Sequence, residues 1–82
     1  MGNDEGNPIV LVFDCIALGT HEIQTGDEVK LKKVLKRLSK IINTPVTKIS
    51  SALYNYSPLD KNQKIKDLGV PSGGVIQIKF QD

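Results

Sequence analysis

The chain has 82 residues, of which 39% are hydrophobic and 24% are charged, and its formal net charge is +2. This length supports one small domain with a single core, and the apolar and charged fractions are those of an ordinary globular protein. A charge this small does not by itself indicate nucleic-acid binding, and no apolar run approaches the ~20 residues that cross a bilayer.

The N-terminal part of the sequence predicts a flexible tail followed by a β-hairpin. Residues 1–8 are polar, rich in glycine and without periodicity, so we expect a tail there and a folded domain over residues 9–82. Residues 9–13 form an apolar, β-branched run that is typical of a well-covered central strand. Gly19 marks a turn, and residues 21–24 return as a weaker second strand. The apolar tip, residues 16–18, either tucks onto the sheet edge or forms an exposed anchor.

The clearest periodicity in the sequence predicts an amphipathic helix. Thr25 and Glu28 fit a capping box at its start, while Asn43 can adopt the left-handed conformation at its end and Pro45 stops it. At ~100° per residue, the apolar residues fall within an arc of roughly 120°; they are Leu31, Val34, Leu35, Leu38, Ile41 and Ile42. The opposite arc carries six cations and no acid; they are Lys30, Lys32, Lys33, Lys36, Arg37 and Lys40.

The last third of the chain predicts two more strands and a short helix. We expect a strand at Ile49–Tyr54, a turn-rich stretch over residues 55–62, and a one-turn helix within residues 64–70. The final strand alternates between an apolar face (Ile76, Ile78 and Phe80) and a polar face (Gln77, Lys79 and Gln81). The register of the third strand stays open by one residue, and a shift exchanges Leu53 and Tyr54 between core and surface.

This order of elements, together with the stretch from Leu59 to Phe80, resembles ubiquitin over residues 9–81. The helix residues also fall where ubiquitin buries its own. The resemblance implies an α+β, ubiquitin-like β-grasp fold, with a mixed sheet of four to five strands packed on one helix and a short 3-10 helix. The sequence given ends at Gln81-Asp82 without a diglycine, so we expect a non-conjugating domain of a larger protein.

The resemblance also implies a recognition surface on the sheet. Ile16 matches a loop leucine of ubiquitin, and its third-strand isoleucine matches Leu53 by one register or Ala52 by the other. The patch histidine and valine are replaced by Gln77 and Lys79. If Leu53 points into the core, two tyrosines that alternate along the strand point outward together. The candidate protein-binding residues are Ile16, Leu53, Tyr54, Tyr56, Gln77 and Lys79.

Catalysis is not expected from this sequence. Cys15 and His21 could face each other across the hairpin, but a nucleophilic pair also needs an orienting group, an oxyanion donor and a cleft. One cysteine and one histidine are too few for a metal site, and we expect no cofactor. A single cysteine favours a cytoplasmic or nuclear location, because small extracellular domains more often carry an even set of disulfides.

Two functions therefore remain open. The first is a non-covalent protein-interaction module that links a larger protein to the ubiquitin–proteasome or chaperone system, for example through a ubiquitin receptor. The second is a Ras-association-like or scaffold domain that binds an acidic partner through the hairpin edge and the basic helix. The basic residues are Lys32, Lys33, Lys36, Arg37 and Lys40. In either case we expect a monomer that binds neither nucleic acid nor membranes.

Overall fold

The computed structural model describes residues 5–81. Within that range the strands are β1 (Pro8–Asp14), β2 (Thr20–Gly26), β3 (Ile49–Tyr54), β4 (Ser57–Pro58) and β5 (Val75–Phe80). The helix is α1 (Leu31–Ile41), and short 3-10 helices lie at Ile16–Leu18, Val46–Lys48 and Ile65–Asp67. The α+β class, the order of the main elements and the short helix before the last strand are confirmed.

The five strands form one mixed sheet with the order β2-β1-β5-β3-β4. The first and last long strands lie side by side and parallel, with Val12 opposite Val75 and Phe13 opposite Ile76. The other neighbours pair antiparallel. The strands β1 and β5 are therefore central, while β2 and the two-residue β4 form the edges.

The helix α1 packs on one face of this sheet and closes the core. Four of the six predicted apolar helix residues are buried, and Ile42 packs against the core while half-buried. Ile41 is the exception, because its side chain is 52% exposed. It lies at the edge of the apolar arc and at the last residue of the helix, where the sheet no longer covers it. Asn43 has a φ of 55°, so the predicted left-handed exit from the helix is confirmed.

The start of α1 differs from the predicted capping box. Thr25 is buried within β2, and the helix begins five residues after Gly26, with Lys30 as an N-cap that makes no side-chain hydrogen bond. The first helical N–H groups instead donate to the carbonyl oxygens of Gln63 and Lys61, at 3.0 and 2.9 Å. A loop distant in sequence therefore satisfies the helix terminus, so no local capping residue is required.

The N-terminal segment lies against the connection between β2 and α1. The Asn7 N–H donates to Asp27 Oδ1 and the Asp27 N–H donates to the Asn7 carbonyl, both at 2.9 Å, and the Glu28 N–H donates to the Glu5 carbonyl at 2.7 Å. A Cβ on Gly26 would lie 2.1 Å from that carbonyl oxygen, so only glycine permits this approach. Residues 5–7 thus pack on the domain, and residues 1–4 of the predicted tail lie outside the described residues.

The Glu28 carboxylate joins this connection to the last 3-10 helix and to the residue that precedes it. It accepts hydrogen bonds from the ammonium groups of Lys66 at 2.5 Å and Lys64 at 2.9 Å. These hydrogen bonds lower the pKa of Glu28 from its ordinary 4.5 to about 2. A depressed carboxyl pKa contributes stability that is present above pH 4.5 and is lost as the pH falls towards 2.

We therefore predict that Glu28→Gln flattens the acid limb of the stability curve. The free energy of unfolding of the unmodified chain should fall between pH 4.5 and about 2, and the variant should lose this part of the decline. Urea unfolding followed by circular dichroism at a series of pH values measures the difference. Glu22→Gln, on the exposed face of β2, is the matched control. Identical pH profiles for Glu28→Gln and the unmodified chain would contradict the prediction.

Candidate docking surface

Because α1 covers one face of the sheet, the side chains on the opposite face are left uncovered by the core. We call this surface the outer sheet face; its central residues are Val12, Ser51, Leu53, Val75, Gln77 and Lys79. Along β5 the alternation is clear, since Ile76 and Ile78 are fully buried while the residues between and beside them are exposed. The predicted two-faced pattern of the last strand is therefore confirmed.

The register of β3 places Leu53 on the outer sheet face. Ala52 is opposite Ile78 and is 1% exposed, whereas the half-buried Leu53 is opposite the exposed Gln77. An irregularity in the ladder between Ile49 and Ser51 changes the alternation there, so Ile49 and Ala52 both face the core although they are three residues apart.

Lys61 stabilises the backbone at this irregularity. Its ammonium group donates to the carbonyl oxygens of Ile49 at 3.1 Å and Ser50 at 3.3 Å. The Ser50 hydroxyl donates to the carbonyl oxygen of Lys79 at 3.2 Å. These contacts supply partners to backbone oxygens near the irregular pairing. They hold the strand in the register that turns Leu53 outward.

The two tyrosines do not share a face as the sequence suggested. Tyr54 ends β3, is half-buried and packs against the core. Tyr56 is not on that strand; it lies in the two-residue turn to β4, and its side chain is 85% exposed. Asn55 and Tyr56 have φ values of 51° and 67°, as in the tight turns that suit a twisted hairpin. The turn therefore separates the two rings.

The loop between β1 and β2 presents an exposed apolar tip. Ile16 is 71% exposed and Leu18 45% exposed, so the tip does not tuck onto the sheet edge. The Asp14 carboxylate accepts a hydrogen bond from the Ile16 N–H at 3.1 Å, and Asp14 is in register with Gln77. Ile16 follows two residues later, which brings the tip to the β1 side of the outer sheet face.

Cys15 and His21 do not form a reactive pair. The thiol of Cys15 is buried and its sulfur lies 4.0 Å from the Phe13 carbonyl oxygen, while His21 is opposite Phe13 in the ladder. Nε2 of His21 lies 2.8 Å from the carbonyl oxygen of Leu18. Burial, with a smaller effect of the Asp14 carboxylate, raises the pKa of the Cys15 thiol, which disfavours the nucleophilic thiolate.

The hairpin turn and β5 together enclose a shallow concavity of about 170 Å³. It is lined by Asn55, Tyr56, Val75 and Gln77. Val75 is 48% exposed and was not among the residues predicted for the site. It lies two residues before Gln77 on β5, so the two side chains are on the same face of the sheet. The structure thus brings Tyr56, Gln77 and the neighbouring Leu53 together.

The basic residues of α1 form a separate surface on the opposite side of the domain. Lys32, Lys33, Lys36, Arg37 and Lys40 are all exposed. Nη1 of Arg37 donates to the Gln24 carbonyl oxygen on edge strand β2 at 3.0 Å. Across residues 5–81 the salt bridges join Glu28 to Lys64 and Lys66, and none involves a cation of this helix face.

Residues 5–81 contain no group of three or more His, Cys, Asp or Glu side chains arranged to hold a metal ion. None of the helices described there combines the length and the apolar character that a membrane crossing requires.

Solved structures resemble this one closely although no family model and no curated protein sequence matches the chain. A designed protein based on ubiquitin superposes with a TM-score of 0.80 at 11% identity, over 92% of this chain and 90% of that chain. The solution structure of an N-terminal ubiquitin-like domain gives 0.81 at 11% identity, over 100% and 83%. A ubiquitin-like domain of an Arabidopsis thaliana protein gives 0.81 at 12% identity, over 93% and 80%.

These comparisons define the fold as a ubiquitin-like β-grasp, which confirms the fold that the sequence resemblance implied. At 11–12% identity they establish the fold alone. Function has to be argued from this chain's own surfaces. Among those surfaces, the outer sheet face and the basic face of α1 are the two candidates.

The assignment of inner and outer residues on β3 predicts that the same substitution destabilises the domain to very different extents at two neighbouring positions. Ala52→Glu buries a carboxylate without a partner, so we expect a loss of several kcal/mol, enough to unfold a small domain. Leu53→Glu points towards solvent and should cost about 1 kcal/mol, mainly through strand propensity. Thermal unfolding measures both. A folded Ala52→Glu together with an unfolded Leu53→Glu would contradict the register.

Proposed function

We propose that this chain is a non-covalent protein-interaction module that binds its partner on the outer sheet face. The observation that carries the proposal is the concavity between Tyr56 and Val75, beside the outward-facing Leu53. A large aromatic ring that is 85% exposed next to a half-exposed valine is more typical of a binding surface than of a solvated sheet. Gln77 and Lys79 surround this apolar centre with polar groups.

The partner that we propose is a component of the ubiquitin–proteasome or chaperone machinery, such as a ubiquitin receptor. The fold supports this choice, since the similar structures include ubiquitin-like domains. The module acts in the cytoplasm or nucleus as part of a larger protein. It acts by binding and not by catalysis, which is consistent with a buried, poorly ionised Cys15.

A second candidate function rests on the basic face of α1. Five exposed cations lie on one side of the helix, and Lys32, Lys33, Lys36 and Lys40 make no salt bridge within residues 5–81. Arg37 connects this face to the exposed edge strand β2. An acidic partner of a Ras-association-like or scaffold domain would be attracted to such a surface.

The test is a residue-resolved NMR titration with a proteasomal ubiquitin-receptor fragment at low and at physiological salt. We expect shifts centred on Leu53, Tyr56, Val75 and Gln77, and an affinity that changes little with salt. Leu53→Glu should weaken binding at least tenfold, because it introduces a charge into the apolar centre.

The same titration separates the two candidate functions. Shifts confined to residues 32–40 that fade at physiological salt, where the screening length is about 8 Å, would favour the basic face. In that case Lys36→Glu should weaken binding while Leu53→Glu has no effect. If the receptor fragment causes no NMR shifts on the outer sheet face, the result contradicts the proposed partner.

A further inference from the structure

The irregular pairing of β3 leaves one residue of that strand without a partner on β5. Ile49 is opposite Phe80 and Ser51 is opposite Lys79, so β3 advances by two residues where β5 advances by one. Ser50 is therefore the extra residue, as in a β-bulge. The direction of every side chain beyond it depends on this bulge, because a shift of one residue turns the side chains of a strand to the opposite face.

The same sequence is compatible with a second register of β3. If the bulge were absent, Leu53 would be opposite the fully buried Ile76 instead of the exposed Gln77. Leu53 would then enter the core and Ala52 would face solvent. Burial of the larger leucine side chain favours this shifted register, whereas burial of the Ser51 hydroxyl, which accompanies it, disfavours it. The side chains of the strand therefore do not decide strongly between the two registers.

Lys61 makes a contact that belongs to the observed register. Its half-buried side chain donates through the ammonium group to the carbonyl oxygens of Ile49 at 3.1 Å and Ser50 at 3.3 Å. Successive carbonyl groups of a regular strand point to opposite edges, so this shared contact depends on the bulge. Within residues 5–81 the ammonium group binds no carboxylate, and its charge strengthens both hydrogen bonds to the backbone.

The backbone of Lys61 is fixed to the helix, so its side chain joins the bulge to a rigid part of the domain. The Lys32 N–H donates to the Lys61 carbonyl oxygen at 2.9 Å, and the Leu31 N–H donates to the Gln63 carbonyl oxygen at 3.0 Å. Leu31 is fully buried in the core, which fixes this end of α1. The ammonium group therefore holds one point of β3 at a set position relative to the core.

We propose that Lys61 is a positioning residue that selects the register of β3 and so decides which side chain the outer sheet face presents. With the cation in place, Leu53 faces outward. Without it, β3 pairs in the shifted register, Leu53 enters the core, and Ala52 and Tyr54 turn outward. The importance of this exchange for binding rests on the proposed function, whereas the register itself can be measured without a partner.

The test compares two substitutions in two backgrounds by thermal unfolding. In the unmodified background Ala52→Glu should lower the melting temperature far more than Leu53→Glu, because only Ala52 is fully buried. In the Lys61→Met background the order should reverse, and Leu53→Glu should melt about 5 °C or more below Ala52→Glu. Lys61→Met alone should remain folded, because the shifted register is available to it.

Two control variants separate a change of register from a simple loss of stability. Lys61→Arg keeps a cation with several donors and should keep the original order. Lys48→Met removes an exposed lysine directly before β3, whose ammonium group has no partner within residues 5–81, and should keep it too.

NMR contacts between side chains report the register directly. The methyl protons of Leu53 should show nuclear Overhauser contacts to Gln77 in the unmodified chain, because the two residues are opposite each other. In Lys61→Met these contacts should be replaced by contacts to Ile76. A residue that only stabilises the strand would leave the contacts of Leu53 unchanged.

Three results would overturn the proposal. If Lys61→Met is less stable but keeps the original order of the two glutamate variants and the contacts of Leu53, Lys61 only stabilises the strand. If Lys61→Met does not fold, the shifted register is not available to the chain. If Lys48→Met reverses the order as well, the register responds to overall charge and not to the contact that Lys61 makes.

The receptor fragment tests the proposed function separately. It should bind Lys61→Met at least tenfold more weakly than Lys48→Met, because Leu53 no longer lies on the outer sheet face. If the fragment binds this face of the unmodified chain and the order of the glutamate variants never reverses, the proposed function stands and this inference fails. If the order reverses but the fragment does not bind the unmodified chain, the proposed function fails alone.

Discussion

Burial of the apolar stripe of α1 against the sheet is the interaction on which the rest of the structure depends. Leu31, Val34, Leu35 and Leu38 are almost completely removed from solvent. Each such side chain contributes about 1.5–3 kcal/mol by burial, which is large beside the 5–15 kcal/mol of net stability expected of a small domain. One face of each of the four longer strands must therefore turn towards the helix. The other face is left as a surface whose composition the core does not dictate.

The two candidate surfaces follow from this division. The sheet face that the helix does not cover carries the apolar centre beside Tyr56, while the helix side away from the sheet carries the cations. Because they lie on opposite sides of the domain, they do not overlap, and a partner on one does not have to displace a partner on the other. The outer sheet face is the stronger candidate, because solvated lysines on a helix need no binding role, whereas an exposed tyrosine in a strained turn does call for one.

Much of the fold could be predicted from the sequence because its signals are local. The helix stripe, the bounds of β3 and the alternation along β5 depend on periodicity within a few residues. The helix start could not be predicted, because its cap comes from the carbonyl groups of Gln63 and Lys61. The direction of Leu53 depends on a ladder irregularity, and the turn at Tyr56 lacks the glycine that usually marks it. Val75 was not included in the predicted site, although its position two residues before Gln77 places both side chains on the same face of β5.

Competition with ubiquitin for one proteasomal ubiquitin-receptor fragment tests the docking role of the outer sheet face most directly. Fluorescence anisotropy of labelled ubiquitin bound to the fragment reports displacement as this domain is added. We expect the domain to displace ubiquitin, and the folded Leu53→Glu variant to fail to do so over the same concentration range. Displacement by Leu53→Glu equal to that by the unmodified chain, or no displacement by either, would contradict the assignment of the outer sheet face as the surface that binds this class of partner.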